Sequence, residues 1–215
     1  DIKTDIRANL VAAPEGGRVH AGFIEAYKEV EAHLKEALKK DSKLPLYITG
    51  HSLGGALAMV ATRYLDSDQL SATYTYGCPR VADDKFYSLV KAPIYRVVNA
   101  GDGVPRVPFG FFMSMLLTGM RLLPINGTRV MSEWIRRNLC GYTHWGNVIF
   151  LSPLGAPTTV KGKTLGFKVR SSPGIFWRSS IVIKRWTSTF GKSLFQDHSM
   201  RDYSQKLGDY AEWRN

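Results

Sequence analysis

With 215 residues, of which 44% are hydrophobic and 22% charged, the chain has enough apolar material for one domain with a sizeable core. Its two cysteines, Cys78 and Cys140, exclude a disulfide-rich scaffold; they form one bridge or stay as two thiols, which leaves the redox compartment open. A net charge of +11 favours anionic partners such as lipid headgroups or polyanions.

In chain order, the first regular element predicted is a helix over 23–40. Phe23, Tyr27, Val30, Leu34, Ala37 and Leu38 recur there at helical spacing among Lys and Glu. Leu46 to Thr49 reads as a short buried strand after Pro45, and Leu53 to Leu65 as an Ala- and Leu-rich helix. A strand over 73–76, a helix over 83–90 and a strand over 94–99 come next. A further strand over 147–152 and a closing helix over 199–213 complete the series. This alternation predicts an α/β architecture around a largely parallel sheet. Phe109 to Met120 breaks the rhythm: it is uncharged, strongly apolar and too short for a bilayer span, which needs about 20 residues. Phe109, Phe111, Phe112, Met113, Met115, Leu116 and Leu117 either pack as core, or line a pocket or form a lipid-facing cap. The stretch 153–190 has no clear period and reads as irregular chain or a small accessory hairpin. No acid lies between Glu133 and Asp197, a stretch holding ten Lys and Arg, among them Arg136, Arg137, Lys161, Lys168, Arg178 and Lys192. That reads as a solvated basic face or an anion-facing one. The chain begins at Asp1 rather than at a methionine or a signal peptide, which reads as a processed or partial chain.

The chemistry concentrates in Gly50-His51-Ser52-Leu53-Gly54-Gly55-Ala56. Gly-x-Ser-x-Gly between a strand and a helix places the serine on a sharp, strained turn, and glycine on both sides removes collisions with neighbouring chain. The helix start then offers the Leu53 amide to an oxyanion. A serine hydroxyl needs a base, and the base needs an orienting acid. In the order Ser, acid, His, two of the five histidines qualify, His144 and His198. The side chain of His51 is expected to turn away from its neighbour Ser52. Among the acids after Ser52, Asp102 stands out: it sits in Gly101-Asp102-Gly103, directly after the strand ending at Asn99. Ligand sites in open α/β sheets lie at such strand ends, although Asp and Gly also build ordinary turns.

Together these segments resemble the fungal-type class 3 lipases. The resemblance runs through VHAGFIEAY from Val19, YITGHSLGGALA from Tyr47, TYGCPRV from Thr75, YRVVNAGDGVPRVP from Tyr95, YTHWGNV from Tyr142 and DHSMRDY from Asp197. It implies an α/β-hydrolase fold over one domain, 1–215, with an apolar insertion around 108–140. It implies Ser52 as nucleophile, Asp102 as acid and His198 as base, and gives His144 a structural place. It implies no cofactor and no metal. The family also carries earlier strands ending in an Arg-Gly-Ser/Thr segment that supplies a second oxyanion donor. DIKTDIRANL resembles the family's stretch just after that segment, so those strands and that donor are expected to lie outside this sequence.

The activity implied is hydrolysis of carboxylic esters of lipids, chiefly acylglycerols, with phospholipid or aryl esters as alternatives. Unless it packs as core, the apolar run that follows Asp102 by a few residues is then expected near the active-site mouth, lining the acyl pocket or capping it. The competing reading is a lipid-surface binding module with a degenerate site, motivated by the missing segment and by Trp145, Trp177 and Trp186 in the basic stretch. Peripheral contact with an anionic lipid surface fits either reading, and a secreted or membrane-peripheral place fits better than an integral one. No nucleic-acid partner is expected, since no recognition motif is present.

Overall fold

In the computed structural model of the chain, residues 10–39, 44–107, 141–155, 157–160 and 163–215 are described. The chain opens with an antiparallel pair, β1 (Leu10–Ala12) with β2 (Arg18–His20). Strands β3 (Leu46–His51), β4 (Leu70–Tyr76), β5 (Ile94–Asn99) and β6 (Asn147–Leu151) run parallel in the central sheet. A second antiparallel pair stands apart from it, β7 (Thr158–Val160) with β8 (Lys163–Leu165). β9 (Val169–Ser171) closes one side of the central sheet antiparallel to β6, with Phe150 opposite Arg170. The five strands lie in the order β3-β4-β5-β6-β9, and among the described residues β3 is an edge strand.

Parallel strands need both faces covered, and successive residues of a strand point to opposite faces. β5 shows how this is met. Ile94 joins the core with helices α1 (Ala21–Lys39) and α2 (Ser52–Tyr64), through Ile24, Tyr27, Ala56, Met59 and Val60. The single-turn helix α3 (Asp84–Tyr87) adds Phe86 and Tyr87 to the same core. Val98 packs with Phe150 and with Val182 of α4 (Ile175–Ser188). A short helix α5 (Ser193–Gln196) leads on to α6 (Met200–Arg214). Val97, on the opposite face of β5, packs with Leu151, Phe167 and Tyr203 of α6. No described helix is long and apolar enough to cross a membrane.

The strand at 94–99 lies as expected, and the other predicted strands extend or shorten by a few residues. The helix expected over 83–90 is reduced to α3, begun by the Asp83 carboxylate accepting the Phe86 amide at 3.0 Å. Within 153–190 the hairpin β7–β8 is present, but so is the 14-residue helix α4, which the sequence did not announce. Its Ile, Val and Trp residues lower helix propensity, and Val182 is its one fully buried position among the described residues. It forms because its inner residues complete the cover over Val98 and Phe150. The apolar run 109–120, the insertion around 108–140 and Cys140 lie outside the described residues. Cys78 is buried, its thiol donating to the Pro79 carbonyl.

Phe150 is fully buried between β5 and α4, with Trp177 edge-on at 5.7 Å. Phe150→Ala should therefore destabilise by about 3–5 kcal/mol, read as a lower urea midpoint. A change under about 1 kcal/mol would mean that α4 does not cover this face.

Candidate active site

β3 ends at His51 and α2 begins at Ser52, so the serine occupies the turn itself. Its φ is +55°, a left-handed value costly for a residue with a Cβ. The turn is closed by Gly50, where a Cβ would lie 2.2 Å from the Gly54 carbonyl oxygen. The second glycine of the motif carries no such demand, since a Cβ at Gly54 meets nothing within 4 Å. The tight position on that side is Gly55, where a Cβ would sit 3.0 Å from the Cβ of Cys78. Sterics thus require Gly50 and Gly55 rather than Gly50 and Gly54. Leu53 lies in the first helical turn, where amides have no intrahelical acceptor.

The structure brings together the three residues read from the sequence. The Ser52 hydroxyl lies 2.8 Å from His198 Nε2. His198 Nδ1 lies 3.1 and 3.0 Å from the two carboxylate oxygens of Asp102. With the hydroxyl donating to Nε2, the ring carries its proton on Nδ1 and donates it to the carboxylate. Asp102 is fully buried. It also accepts the Val104 amide at 2.9 Å and the Tyr203 hydroxyl at 2.7 Å, so its charge is met on several sides. Burial and the Asp102 charge push the Tyr203 phenol well above its ordinary pKa, which keeps it a donor.

A second layer holds the histidine. Asp197, its neighbour, accepts the Gly101 amide at 2.8 Å and pairs with the Arg185 guanidinium at 2.9 and 3.1 Å. The Asp197 carbonyl accepts from Asn99 Nδ2 at 2.9 Å, and the Asn99 amide donates to Tyr203 at 2.9 Å. Lys206, buried beneath them, donates to Asn99 Oδ1 and to the Ser152 carbonyl at 2.6 and 2.8 Å. Burial pushes its ammonium down to about 8, against the raising effect of Asp197 and Asp202. His51 does not stand clear of the site. Its Nε2 donates to the His198 carbonyl at 2.8 Å, and the two rings stack at 4.7 Å. His144 lies elsewhere, its Nε2 donating to the Pro105 carbonyl. Burial, with Arg96 and Arg80 adding to it, holds that imidazole well below its ordinary pKa, hence neutral.

Sequence reasoning reached Ser52, Asp102 and His198 but missed Tyr203, Asn99, Asp197, Arg185 and Lys206. One signal existed: Tyr203, Lys206, Leu207 and Tyr210 form a stripe at helical spacing, in which a lysine is the odd member. Among the described residues, no cluster of His, Cys, Asp and Glu could hold a metal ion.

Known proteins resemble parts of this chain. A family model described as lipase (class 3) matches residues 1–112. The chain is 43% identical over 107 residues to a secreted mono- and diacylglycerol lipase of Fusarium solani, covering 45% of this chain and 32% of that protein. It is 39% identical over 112 residues to a lipase of Rhizomucor miehei, covering 45% of this chain and 31% of that one. The chain thus spans about a third of the length of these curated relatives. A solved triacylglycerol lipase, whose catalytic centre is described as a serine protease triad, matches with a TM-score of 0.54 at 24% identity. It covers 83% of this chain and 60% of that one, a likeness of fold.

Gly77, in the left-handed region at φ +56°, lies directly against the His–Asp pair. A Cβ there would lie 2.8 Å from both Asp102 Oδ2 and His198 Nδ1. Gly77→Ala should lower fluorophosphonate labelling of Ser52 by about 10²-fold, the cost of misplacing a reacting group by about 1 Å. Gly54→Ala should leave the labelling rate within about twofold, because a methyl there meets open space. Equal rates for both variants would refute the packing argument.

Proposed function

We propose that this chain, which belongs to the lipase (class 3) family, hydrolyses carboxylic esters of acylglycerols through an acyl-enzyme on Ser52. The observation that carries the reading is the unbroken hydrogen-bond chain from Ser52 through His198 to buried Asp102. In the proposed reaction Ser52 Oγ attacks the ester carbonyl carbon while His198 Nε2 takes the hydroxyl proton. The carbonyl π electrons move onto oxygen, and the Leu53 amide donates to the oxyanion. Collapse expels the glycerol oxygen, which receives the proton from His198. Water then attacks the acyl-enzyme with His198 again as base, releasing fatty acid and free Ser52. Asp102 holds the Nδ1 proton and stabilises the imidazolium at each stage. The second oxyanion donor implied by the family is not assigned among the described residues. The assembled chain of bonds favours an enzyme over a binding module with a degenerate site.

Ser52→Ala and His198→Ala should each lower turnover of a soluble para-nitrophenyl ester by about 10⁴–10⁶-fold. Asp102→Asn should cost about 10⁴-fold. His144→Ala, assayed on its folded fraction, should retain activity, since its imidazole is neutral and bonded to Pro105. Activity intact in His198→Ala and lost in His144→Ala would reverse the assignment.

The acid-free segment supports peripheral contact with an anionic lipid surface as the second part of the reading. α4 and the chain after it expose Phe176, Ile183, Phe190 and Phe195, at 88%, 58%, 94% and 79%. Lys184 and Lys192 are exposed in the same segment. Apolar residues of this kind partition into an interface, and each nearby cation adds about 1 kcal/mol on an anionic surface. Binding to vesicles rich in phosphatidylserine should fall steeply as salt rises, and Phe190→Ser with Phe195→Ser should weaken it at every salt concentration. Equal binding to neutral vesicles would remove the ionic part.

A further inference from the structure

Away from Ser52, the described structure holds a cavity of about 310 Å³, near the lower end for small-ligand sites. It adjoins the turn after Asp102 and is lined by Arg80, Arg96, Arg106, His144 and Arg178, with Phe150 among its apolar walls. No Asp or Glu lines it among the described residues. The Nε atoms of Arg96, Arg106 and Arg178 are all buried and have no hydrogen-bond partner. Arg96 is 7% exposed and lies in the middle of β5, so it cannot turn out to water.

Like charges gathered out of water raise the energy of the fold unless an anion joins them. Burial pushes the Arg96 guanidinium down to about 10, and Arg178 and Arg80 push the same way. Arg106 is lowered by burial and by Arg178, against the raising effect of Asp102. Local relief is partial. Arg106 lies over the Trp186 ring at 5.4 Å, and the Arg80 guanidinium donates to the Arg106 carbonyl. His144 adds no charge, because burial and these same arginines hold it neutral. A guanidinium presents a planar fork of donors, and its best-matched partner is an oxyanion with several acceptor oxygens. The cavity is also not wholly polar. Ile175 and Phe176 line it from the first turn of α4 while remaining 53% and 88% exposed.

We propose that this cavity binds a phosphate group carried on an apolar tail, with Arg96, Arg106 and Arg178 as donors and Ile175 and Phe176 beside the tail. Phosphate is favoured over a single carboxylate because its charge of about −1.5 to −2 and three acceptor oxygens match several guanidiniums at once. The site goes beyond ester hydrolysis and does not depend on Ser52, so its failure and that of the hydrolase reading are separable.

Calorimetric titration of the 215-residue chain with hexyl phosphate, inorganic phosphate and hexanol tests it. Hexyl phosphate should bind about tenfold or more tightly than inorganic phosphate, the added methylenes being buried against the mouth. Hexanol should give no saturable heat. Arg178→Gln, at a partly exposed position and checked for an unchanged melting curve, should weaken hexyl phosphate about tenfold or more, the loss of one charge-assisted bond. Arg96→Gln should do the same, checked for an unchanged melting curve. Equal affinity for the two phosphates would overturn the tail and leave a bare phosphate site. No saturable heat from either at roughly millimolar concentration would overturn the site. Undiminished binding in Arg178→Gln would overturn its location. The Ser52→Ala chain should bind as the parent does; loss there would mean that the ligand occupies the ester site instead.

Discussion

The bond between Ser52 and His198 joins residues 146 apart in sequence, and most of the polar structure around it keeps that one distance. Ser52 is held from its own side by a strained turn. Its φ of +55° persists because Gly50 lets the backbone of Gly54 approach and because α2 is anchored beneath by Ala56, Met59 and Val60. His198 has no such local frame. It sits on a short link between α5 and α6, and its place is set by bonds to residues at and just after the end of β5 and by His51 at the end of β3. The ends of two strands thus hold a link whose own backbone amides bond back into α5.

Asp197 is the hub of that arrangement. Its carboxylate spans the Gly101 amide and Arg185, and its carbonyl takes Asn99. Asn99 in turn links Lys206 and Tyr203, and Tyr203 reaches Asp102. Every side chain of this network has a partner, which is what makes burying Asp102, Asn99 and Lys206 tolerable. A buried lysine facing two neutral oxygens would cost several kcal/mol if either were lost, so the arrangement favours one conformation over its neighbours.

The legible part of this site was the part encoded locally. A glycine before a serine between a strand and a helix is a statement about φ, and an aspartate in Gly-Asp-Gly after a strand is a statement about a turn. Both can be read within a few residues of chain. The choice of His198 over His144 was not available from order or spacing; it came with the family resemblance, and the fold separates the two by burying His144 against Pro105. The roles of Tyr203, Asn99 and Lys206 were hidden for a different reason, the lysine in the α6 stripe being the one hint. Their roles depend on which face of α6 meets which end of β5, and nothing local encodes that. α4 was missed because its β-branched and aromatic residues argue against a helix, and the packing that overrides them is tertiary.

α4 also ties the two charged regions of the molecule together. Arg178 and Arg185 lie seven residues apart on it, two turns along one face. Arg178 faces the arginine-lined cavity, and Arg185 holds Asp197 beside His198. The next residue, Trp186, donates from Nε1 to the Gly101 carbonyl at 2.7 Å while its ring lies under Arg106. Gly101 itself leaves no slack, because a Cβ there would meet the Arg185 and Ser193 side chains at 2.9 Å. A displacement of α4 along its axis would therefore be felt on both sides of Asp102, through the Gly101 turn before it and the Arg106 turn after it. The helix that carries the exposed Phe176 and Ile183 is thus in direct bonded contact with the loop that carries Asp102, with no intervening element to absorb motion between them.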